Sequence, residues 1–245
     1  MAMIINGRYA NSIYVGATQD PTFIPVVKSG LVLYWDAFGR ANTDSNKYSF
    51  PDKSGLGNNG TLNAGYIFDA TYGWKNNGLV QNQIAADNIT IATTTGALAA
   101  INSTFTVEVI AKNVQTVNSH LMTTSTGFGT TKGFGIRSGS SAPYFRGYLY
   151  GASLTTIDHN TITPLSSAIH HFSFRRDGTK VVLSIDGLLY TAYVAAGIDV
   201  SNNYLQVGTS VQAGKTTYAV RIYNRILSDE EVEFNRQYDK QRYGF

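Results

Sequence analysis

The chain has 245 residues, of which 43% are hydrophobic and only 14% are charged, and its formal net charge is +3. The basic stretch from Arg221 to Arg242 is the densest, and acidic residues interrupt it, so no continuous basic stripe of the kind that binds nucleic acid is present. We therefore expect no nucleic-acid partner. The absence of cysteine excludes disulfides and thiolate metal sites.

Membrane and export signals are also missing from the sequence. No apolar run approaches the roughly 18 residues that a spanning helix needs, which predicts no membrane partner. Residues 1–14 lack a charged segment followed by an apolar one, so we expect no secretory signal.

The first 28 residues differ from the rest of the chain. Asp20-Pro21 and Ile24-Pro25 disfavour helix and favour extended backbone. We predict an N-terminal arm and linker over residues 1–28, followed by one folded domain over residues 29–245. A disordered tail and a first hairpin of the main sheet are the alternatives.

Strand signals follow one another from Leu31 onward. Leu31 to Trp35 is a dense apolar run, typical of a strand buried on both faces. Residues 39–60 are polar and glycine-rich, which predicts a loop with positive φ angles. Phe105, Val107 and Val109 alternate with other residues and predict a strand with one apolar face.

The firmest local prediction is a three-strand meander over residues 170–193. Its alternating runs are separated by Asp177-Gly178 and Asp186-Gly187, and Asp-Gly suits the tight turns of hairpins. One helix is predicted after it, from a capping box of Ser228 and Glu231 to about Tyr238.

Many short strands with frequent turn signals predict an all-β fold, a two-sheet antiparallel jelly-roll sandwich with one short C-terminal helix. Three stretches resemble laminin-G-like domains of the concanavalin A-like lectin/glucanase family: Gly30 to Ala37 with Asp52 to Leu62, His170 to Gly187, and Arg221 to Glu231. In this order they bracket residues 30–239 and imply the concanavalin A-like fold.

The ending Arg242-Tyr243-Gly244-Phe245 resembles the tails of laminin-G-like proteins in tailed bacteriophages. This resemblance implies a virion structural protein on the particle surface: a capsid decoration, head-fibre or tail-associated subunit. Residues 1–28 would attach it to other virion proteins, the sandwich would face host surface glycans, and a homo-oligomer is expected. A stand-alone carbohydrate-binding or adhesin module is the alternative, and a glycoside hydrolase is the third hypothesis.

Glycosidases of this fold use two carboxylates on one strand, so a pair of acidic residues in a predicted strand would indicate catalysis. Glu108 is the only glutamate in a predicted strand, and no acidic residue lies two or four positions from it. His170 and His171 face opposite sides of a strand, so they cannot share one metal, and we expect surface or edge positions for the histidines. The sequence therefore predicts that the chain is not an enzyme and needs no cofactor.

Two kinds of ligand remain. The resemblance implies that a calcium ion can bind at the sandwich rim, where Asp36, Asp52 and Asn58 lie in matching segments. Sugar binding uses aromatic rings that stack on pyranose faces and amides that orient hydroxyls. The candidate ligand-binding residues are Tyr72, Trp74, Asn76 and Asn77, with Tyr144, Tyr148 and Tyr150 as an alternative face; core packing or a protein contact explains either set as well.

Overall fold

The computed structural model describes residues 4–5, 8–9, 26–63, 66–82, 89–92, 101, 103–112, 114, 120–124, 132–138, 145–159, 167–195, 204–208 and 214–245. These residues form the strands β1 (Ile4–Ile5), β2 (Arg8–Tyr9), β3 (Leu31–Asp36), β4 (Ser49–Phe50), β5 (Gly60–Leu62), β6 (Gly73–Lys75), β7 (Gly78–Val80), β8 (Ile89–Ala92), β9 (Thr104–Lys112), β10 (His120–Thr123), β11 (Gly133–Ser138), β12 (Phe145–Tyr150), β13 (Leu154–His159), β14 (Ile169–Asp177), β15 (Lys180–Ile185), β16 (Leu188–Tyr193), β17 (Tyr204–Val207) and β18 (Thr216–Tyr223), and the helix α1 (Asp229–Tyr243).

The strands make two large antiparallel sheets and a separate ribbon, β1–β2. In the outer sheet the strand order is β13-β12-β11-β10-β17-β8-β5-β4. In the helix-side sheet it is β16-β15-β14-β9-β18-β7-β6, and β3 also pairs with β18. The prediction of an all-β antiparallel sandwich with one C-terminal helix is confirmed.

The main hydrophobic core lies between the two sheets. Phe105, Val107 and Val109 of β9 belong to it, as their alternation predicted. The rings of Phe105 and Phe134 stack with centroids 4.0 Å apart and so join β9 to β11. Burial of this apolar surface is the main stabilising contribution to a sandwich, at about 25 cal/mol per Å².

The helix covers the other face of the helix-side sheet. Tyr34, Ile110, Tyr223 and Val232 form a second apolar cluster between the helix and this sheet, together with Val26, Leu31, Tyr218, Ala219 and Leu227. Strands β3, β9 and β18 are consequently covered on both faces, which explains why Leu31 to Asp36 is buried throughout. Val26 and Val27 already pack here, and the Val27 amide donates to Asn235 Oδ1 at 2.9 Å.

Both ends of the helix have defined caps. The Ser228 hydroxyl accepts from the Glu231 amide at 3.2 Å, and the Glu231 carboxylate accepts from the Ser228 amide at 2.9 Å, which confirms the capping box. The helix runs beyond the expected Tyr238 to Tyr243 and ends at Gly244, whose φ is 76°. It is longer because Arg242 and Tyr243 at its C-terminal end bind Asp36 of β3.

Asp36 at the end of β3 anchors the C-terminal residues. Its carboxylate accepts from Arg242 Nη2 at 2.7 Å, from the Tyr243 hydroxyl at 2.7 Å and from Lys53 Nζ at 2.9 Å. Burial alone would raise the pKa of Asp36, but Arg242 and Lys53 outweigh it and hold the pKa below its ordinary value. The chain's last residues therefore belong to the folded body.

The meander of β14, β15 and β16 is confirmed. Asp186 and Gly187 have φ values of 52° and 87°, as the mirror-image hairpin turn requires. The first turn differs, because Asp177 pairs with Lys180 and the turn itself consists of Gly178 and Thr179. Gly178, at φ 56°, supplies the positive angle there. No helix in the described ranges is long and apolar enough to cross a membrane.

Candidate functional site

Residues 37–48 and residues 66–77, which include β6, contact each other at one edge of the sandwich, and we call these two segments the rim loops. The four residues that the sequence singled out, Tyr72, Trp74, Asn76 and Asn77, all lie in the second segment. Asn76 and Asn77 form the two-residue turn between β6 and β7, with φ values of 51° and 62°. Asparagine tolerates this left-handed backbone, as a mirror-image turn requires. Asn76 is exposed, and Asn77 Oδ1 accepts from the Gly39 amide at 3.2 Å across the two loops.

Asn42 joins the rim loops more firmly. Its amide nitrogen donates to the carbonyl oxygens of Asp69 at 2.9 Å and Tyr72 at 3.0 Å. Its Oδ1 accepts from the Trp74 amide at 2.7 Å. We call these three hydrogen bonds of Asn42 the Asn42 clamp. A Cβ atom on Gly73, whose φ is 91°, would clash with Asn42 Oδ1, so the clamp requires glycine at this position. Sequence reasoning missed Asn42, because its partners lie in the other loop.

Asp69 shapes the approach to Tyr72. Its Oδ1 accepts from the amides of Thr71 at 2.6 Å and Tyr72 at 2.7 Å. The hydrogen bonds from the Tyr72 and Thr71 amides favour the charged carboxylate and lower the pKa of Asp69. At neutral pH an ionised aspartate therefore fixes the backbone that presents the half-buried Tyr72 side chain.

Trp74 belongs to the core and not to the accessible rim. It is only 3% exposed, and its indole nitrogen donates to the Lys47 carbonyl at 2.8 Å. Its ring meets Phe50 edge-on at 5.0 Å, and the Arg40 guanidinium lies over it at 4.8 Å. The ring supports the rim loops from below, and its faces are occupied by protein groups.

Other aromatic side chains reach the surface of the rim loops. Tyr48 is 44% exposed and contacts Phe68 edge-on at 5.0 Å, with Lys47 Nζ over the Phe68 ring at 5.0 Å. Phe38 is 39% exposed, and Arg242 lies over it at 4.0 Å. Arg242 and Lys47 cover one face of Phe38 and of Phe68, respectively, so Tyr48 and Tyr72 are the rings left for stacking on a sugar, with amides and cations nearby for its hydroxyls.

The alternative aromatic face lies on the outer sheet. Tyr148 is fully buried, and its hydroxyl bonds to the Thr123 hydroxyl. Tyr150 is half-buried, and Tyr144 lies outside the described residues. The exposed aromatic surface of the rim loops therefore exceeds that of the described part of this face.

The three residues considered for calcium are committed to protein partners. Asp36 already faces two cationic side chains, Arg242 and Lys53. Asp52 accepts from the amides of Tyr34, Ser54 and Asn58, each at 2.9 Å, and the Asn58 side chain donates to the Val32 carbonyl at 2.7 Å. Donors and cations point at these carboxylates, so the set does not fit a calcium ion. No group of three metal-ligating side chains occurs in the described ranges.

Glu108 has an acidic partner that sequence spacing did not reveal. Arg221 lies between Glu108 and Asp239 of α1: its Nε donates to Glu108 Oε2 at 2.7 Å, and its Nη1 donates to Asp239 Oδ1 at 3.0 Å. His171 Nε2 lies 3.5 Å from Glu108 Oε1, and Asn235 donates to Glu108 Oε2 at 2.9 Å. All five side chains are fully buried beneath the helix, so this buried ion cluster holds the helix and does not face a substrate.

The two carboxylates of the buried ion cluster have opposite pKa shifts. Burial opposes ionisation of Glu108, but Arg221 and His171 outweigh it and lower its pKa. For Asp239 burial dominates over Arg221, and the pKa rises. This division is expected when two carboxylates share one guanidinium in a dry site.

The histidines differ partly from expectation. His170 and His171 do face opposite sides: His170 Nδ1 lies 2.6 Å from Asp186 Oδ2, whereas His171 points into the buried ion cluster. The expectation of surface or edge positions is wrong for His171, which is buried on an inner strand, while His159 lies on the edge strand β13 with its side chain buried. The double coverage of β14 and the packing of β13 against Leu188 of β16 explain this burial.

Comparison with known proteins finds solved structures with a similar fold. No protein-family model and no curated protein sequence matches the chain. Among solved structures, it is similar to Trypanosoma rangeli sialidase in complex with sialic acid, with a TM-score of 0.61 and 18% identity over 85% of this chain and 33% of the sialidase. The binding domain of Paraclostridial Mosquitocidal Protein 1 has a TM-score of 0.63 and 16% identity over 86% of this chain and 53% of that one.

A third similar structure is the botulinum neurotoxin serotype D binding domain, with a TM-score of 0.63 and 13% identity over 88% of this chain and 52% of that domain. The chain thus spans about a third of the sialidase and about half of each toxin domain. At these identities the likeness concerns the fold.

These neighbours overturn the prediction that the chain is not an enzyme. That prediction depended on the missing pair of strand carboxylates, yet sialidases use a tyrosine nucleophile and need no such pair. The missing pair excludes the glucanase arrangement alone and does not separate enzymes from binding proteins. Together the sheets, the capped helix and the solved structures show that the chain has a lectin-like β-sandwich fold.

Proposed function

We propose that this chain is a lectin-like module that binds glycans through its rim loops and is carried on the surface of a bacteriophage particle. The observation that supports glycan binding best is the exposed Tyr48 ring, together with the half-buried Tyr72 and the exposed Asn76, on the two rim loops. The Asn42 clamp holds the backbone of these loops before any ligand arrives, which lowers the entropy cost of binding.

A glycan array with the full chain tests the binding site. We expect defined glycans to be retained, and Tyr48→Ala and Tyr72→Ala to weaken binding by about tenfold, the loss of about 1.4 kcal/mol. Leu154→Ala is the control, because Leu154 is similarly exposed but lies on β13, at the opposite end of the outer sheet from β4. Unchanged binding in both tyrosine variants would place the ligand elsewhere, and no binding to any glycan would reject the proposal.

Attachment to a particle is the second part of the proposal, and it depends on the resemblance of the C-terminal residues and on the N-terminal arm. The arm would bind other virion proteins, on a capsid, a head fibre or a tail. Because Val26 and Val27 pack against α1, the informative deletion removes residues 1–25. We expect the shortened chain to fold with an unchanged circular dichroism spectrum but to be absent from particles; normal incorporation would disprove the anchor.

A stand-alone carbohydrate-binding or adhesin module is the second candidate. The likeness in fold to toxin binding domains favours it, because those domains are named for binding and not for assembly into particles. Cryo-electron microscopy density for the chain on a purified particle would favour the virion role over the stand-alone module. Release of reducing sugar from polysaccharides or of sialic acid from sialosides, measured with the same protein, tests the third hypothesis of a glycoside hydrolase.

A further inference from the structure

Strand β16 ends the helix-side sheet and exposes most of its apolar side chains. Its sequence is Leu-Leu-Tyr-Thr-Ala-Tyr, and Leu188, Leu189, Tyr190 and Tyr193 are exposed by 61%, 48%, 40% and 75%. No other described strand pairs with it on the side away from β15. An edge of this kind readily pairs with another extended strand.

The register of the meander identifies the backbone groups that point outward. Ile185 and Leu188 flank the two-residue turn and are therefore a hydrogen-bonded pair. Because antiparallel ladders alternate, Tyr190 and Ala192 also bond to β15. The N–H and C=O groups of Leu189, Thr191 and Tyr193 consequently point away from the sheet.

The other strands at the edges of the two sheets are protected. On the side of β3 away from β18, the Lys53 amide donates to the Tyr34 carbonyl at 2.7 Å and Asp52 accepts from the Tyr34 amide at 2.9 Å, so this edge is covered. Strands β4 and β6 have only two and three residues, too short to pair with another strand over any length. Strand β13 carries Asp158, which is paired with Arg146 at 2.5 Å. Strand β16 has six residues and neither a charge nor a proline, the usual features that prevent edge pairing.

We propose that β16 is a dimer interface, at which a second copy of this chain adds its own β16 in antiparallel orientation. A two-fold contact sets the same surface against itself, so an uncharged strand meets no like charge. The strand's two ends also complement each other. Asp186, whose carboxylate is bonded to His170, precedes the strand, and Lys180 of the neighbouring β15 lies opposite Tyr193. An antiparallel copy therefore brings the acidic end of one hairpin toward the basic end of the other.

The outward groups fix the register of the contact. Pairing Leu189, Thr191 and Tyr193 with the same three residues of an antiparallel copy places Thr191 opposite Thr191 on the two-fold axis. Leu189 then faces Tyr193 of the second copy, an apolar cross-strand pair. A standard interface buries about 800 Å² per partner, and a six-residue edge is smaller, so we expect a weak, concentration-dependent dimer.

Light scattering and sedimentation of the full chain over a wide range of concentration test the proposal. We expect a monomer–dimer equilibrium, and Thr191→Lys to raise its dissociation constant at least about tenfold because two lysines would meet on the axis. Tyr193→Lys serves as a second variant if the first is poorly folded, since Tyr193 is the most exposed residue of the strand. Melting temperatures establish that each variant is folded.

The absence of cysteine from the chain allows a sharper test. Opposed hydrogen-bonded residues have Cα atoms about 5.5 Å apart, which suits a disulfide. Thr191→Cys should therefore form a covalent dimer on mild oxidation, and Thr61→Cys, exposed on β5, should not do so faster than random collision. A monomer at every concentration, a trimer, or equal crosslinking of the two cysteine variants would overturn the proposal.

Discussion

The Arg242 guanidinium donates to the Asp36 carboxylate at 2.7 Å, although 206 positions separate the two residues in the chain. Through this contact the last turn of α1 is held against the end of β3. Loop residues 37–48 begin directly after Asp36, so the same carboxylate joins the C-terminal residues to the base of the rim loops.

We expect Asp36→Asn to destabilise the protein by about 3 kcal/mol, because it leaves Arg242 and Lys53 without their buried counter-charge. Urea unfolding at neutral pH measures the change. Asp44→Asn is the control: its ion pair with Arg40 is more exposed, and we expect a loss below about 1 kcal/mol. Equal losses in the two variants would show that the Asp36 contacts contribute little.

The Asp36 contribution should also depend on pH. Its pKa is lower in the folded than in the unfolded chain, where 3.8 is the ordinary value. The stabilisation is then fully present well above pH 3.8 and disappears as the pH falls through 3.8 toward the folded pKa. Urea midpoints of the wild type and Asp36→Asn should converge on acidification, and a constant difference down to low pH would contradict this.

Substitution of Gly73 tests the Asn42 clamp that joins the rim loops. Gly73→Ala introduces a Cβ atom against Asn42 at a positive φ, whereas Gly39→Ala introduces one at a positive φ into open space. We expect a cost of about 1 kcal/mol for Gly39→Ala from backbone strain alone and about 3 kcal/mol for Gly73→Ala. Thermal or urea unfolding of the two variants measures the loss of unfolding free energy, and equal losses would argue against the clamp.

Arg221 should be among the most sensitive charged residues to substitution. Arg221→Leu leaves Glu108 and Asp239 buried without their shared cation, and we expect a loss of about 4 kcal/mol or failure to fold. Arg236→Leu is the matched control, because its ion pair with Glu233 lies at the surface and should contribute less than about 1 kcal/mol. Denaturant unfolding compares them, and a small effect at Arg221 would mean that water enters the cluster.

The features that could be predicted from the sequence are local ones. The meander follows from alternation and Asp-Gly turn chemistry within about twenty-five residues, and the helix start follows from Ser228 and Glu231 alone. Strand β3 was predictable because an apolar run without alternation indicates burial on both faces.

The features that could not be predicted depend on distant partners. Asn42 is an ordinary polar loop residue until the second rim loop lies against it, and Glu108 has no acidic neighbour within its strand. Trp74 lies in a segment, residues 72–77, whose composition is typical of a surface hairpin. Arg40 and Phe50, which belong to other segments, bury its ring. Asn76 and Asn77 were predicted only as members of a candidate sugar-binding loop, and the turn that they form does not by itself determine what it binds.

The clamp by Asn42 acts on backbone atoms of the opposite loop and on no exposed side chain. The path of residues 66–77 is thus set by Asn42, Asp69 and Asn77 and not by the aromatic rings that the rim presents. Tyr48 and Tyr72 can be exchanged for other residues without rebuilding the loops, whereas position 76 has to suit a positive φ. The rim therefore has the properties of a scaffold whose specificity changes by substitution of its rings and not by insertion.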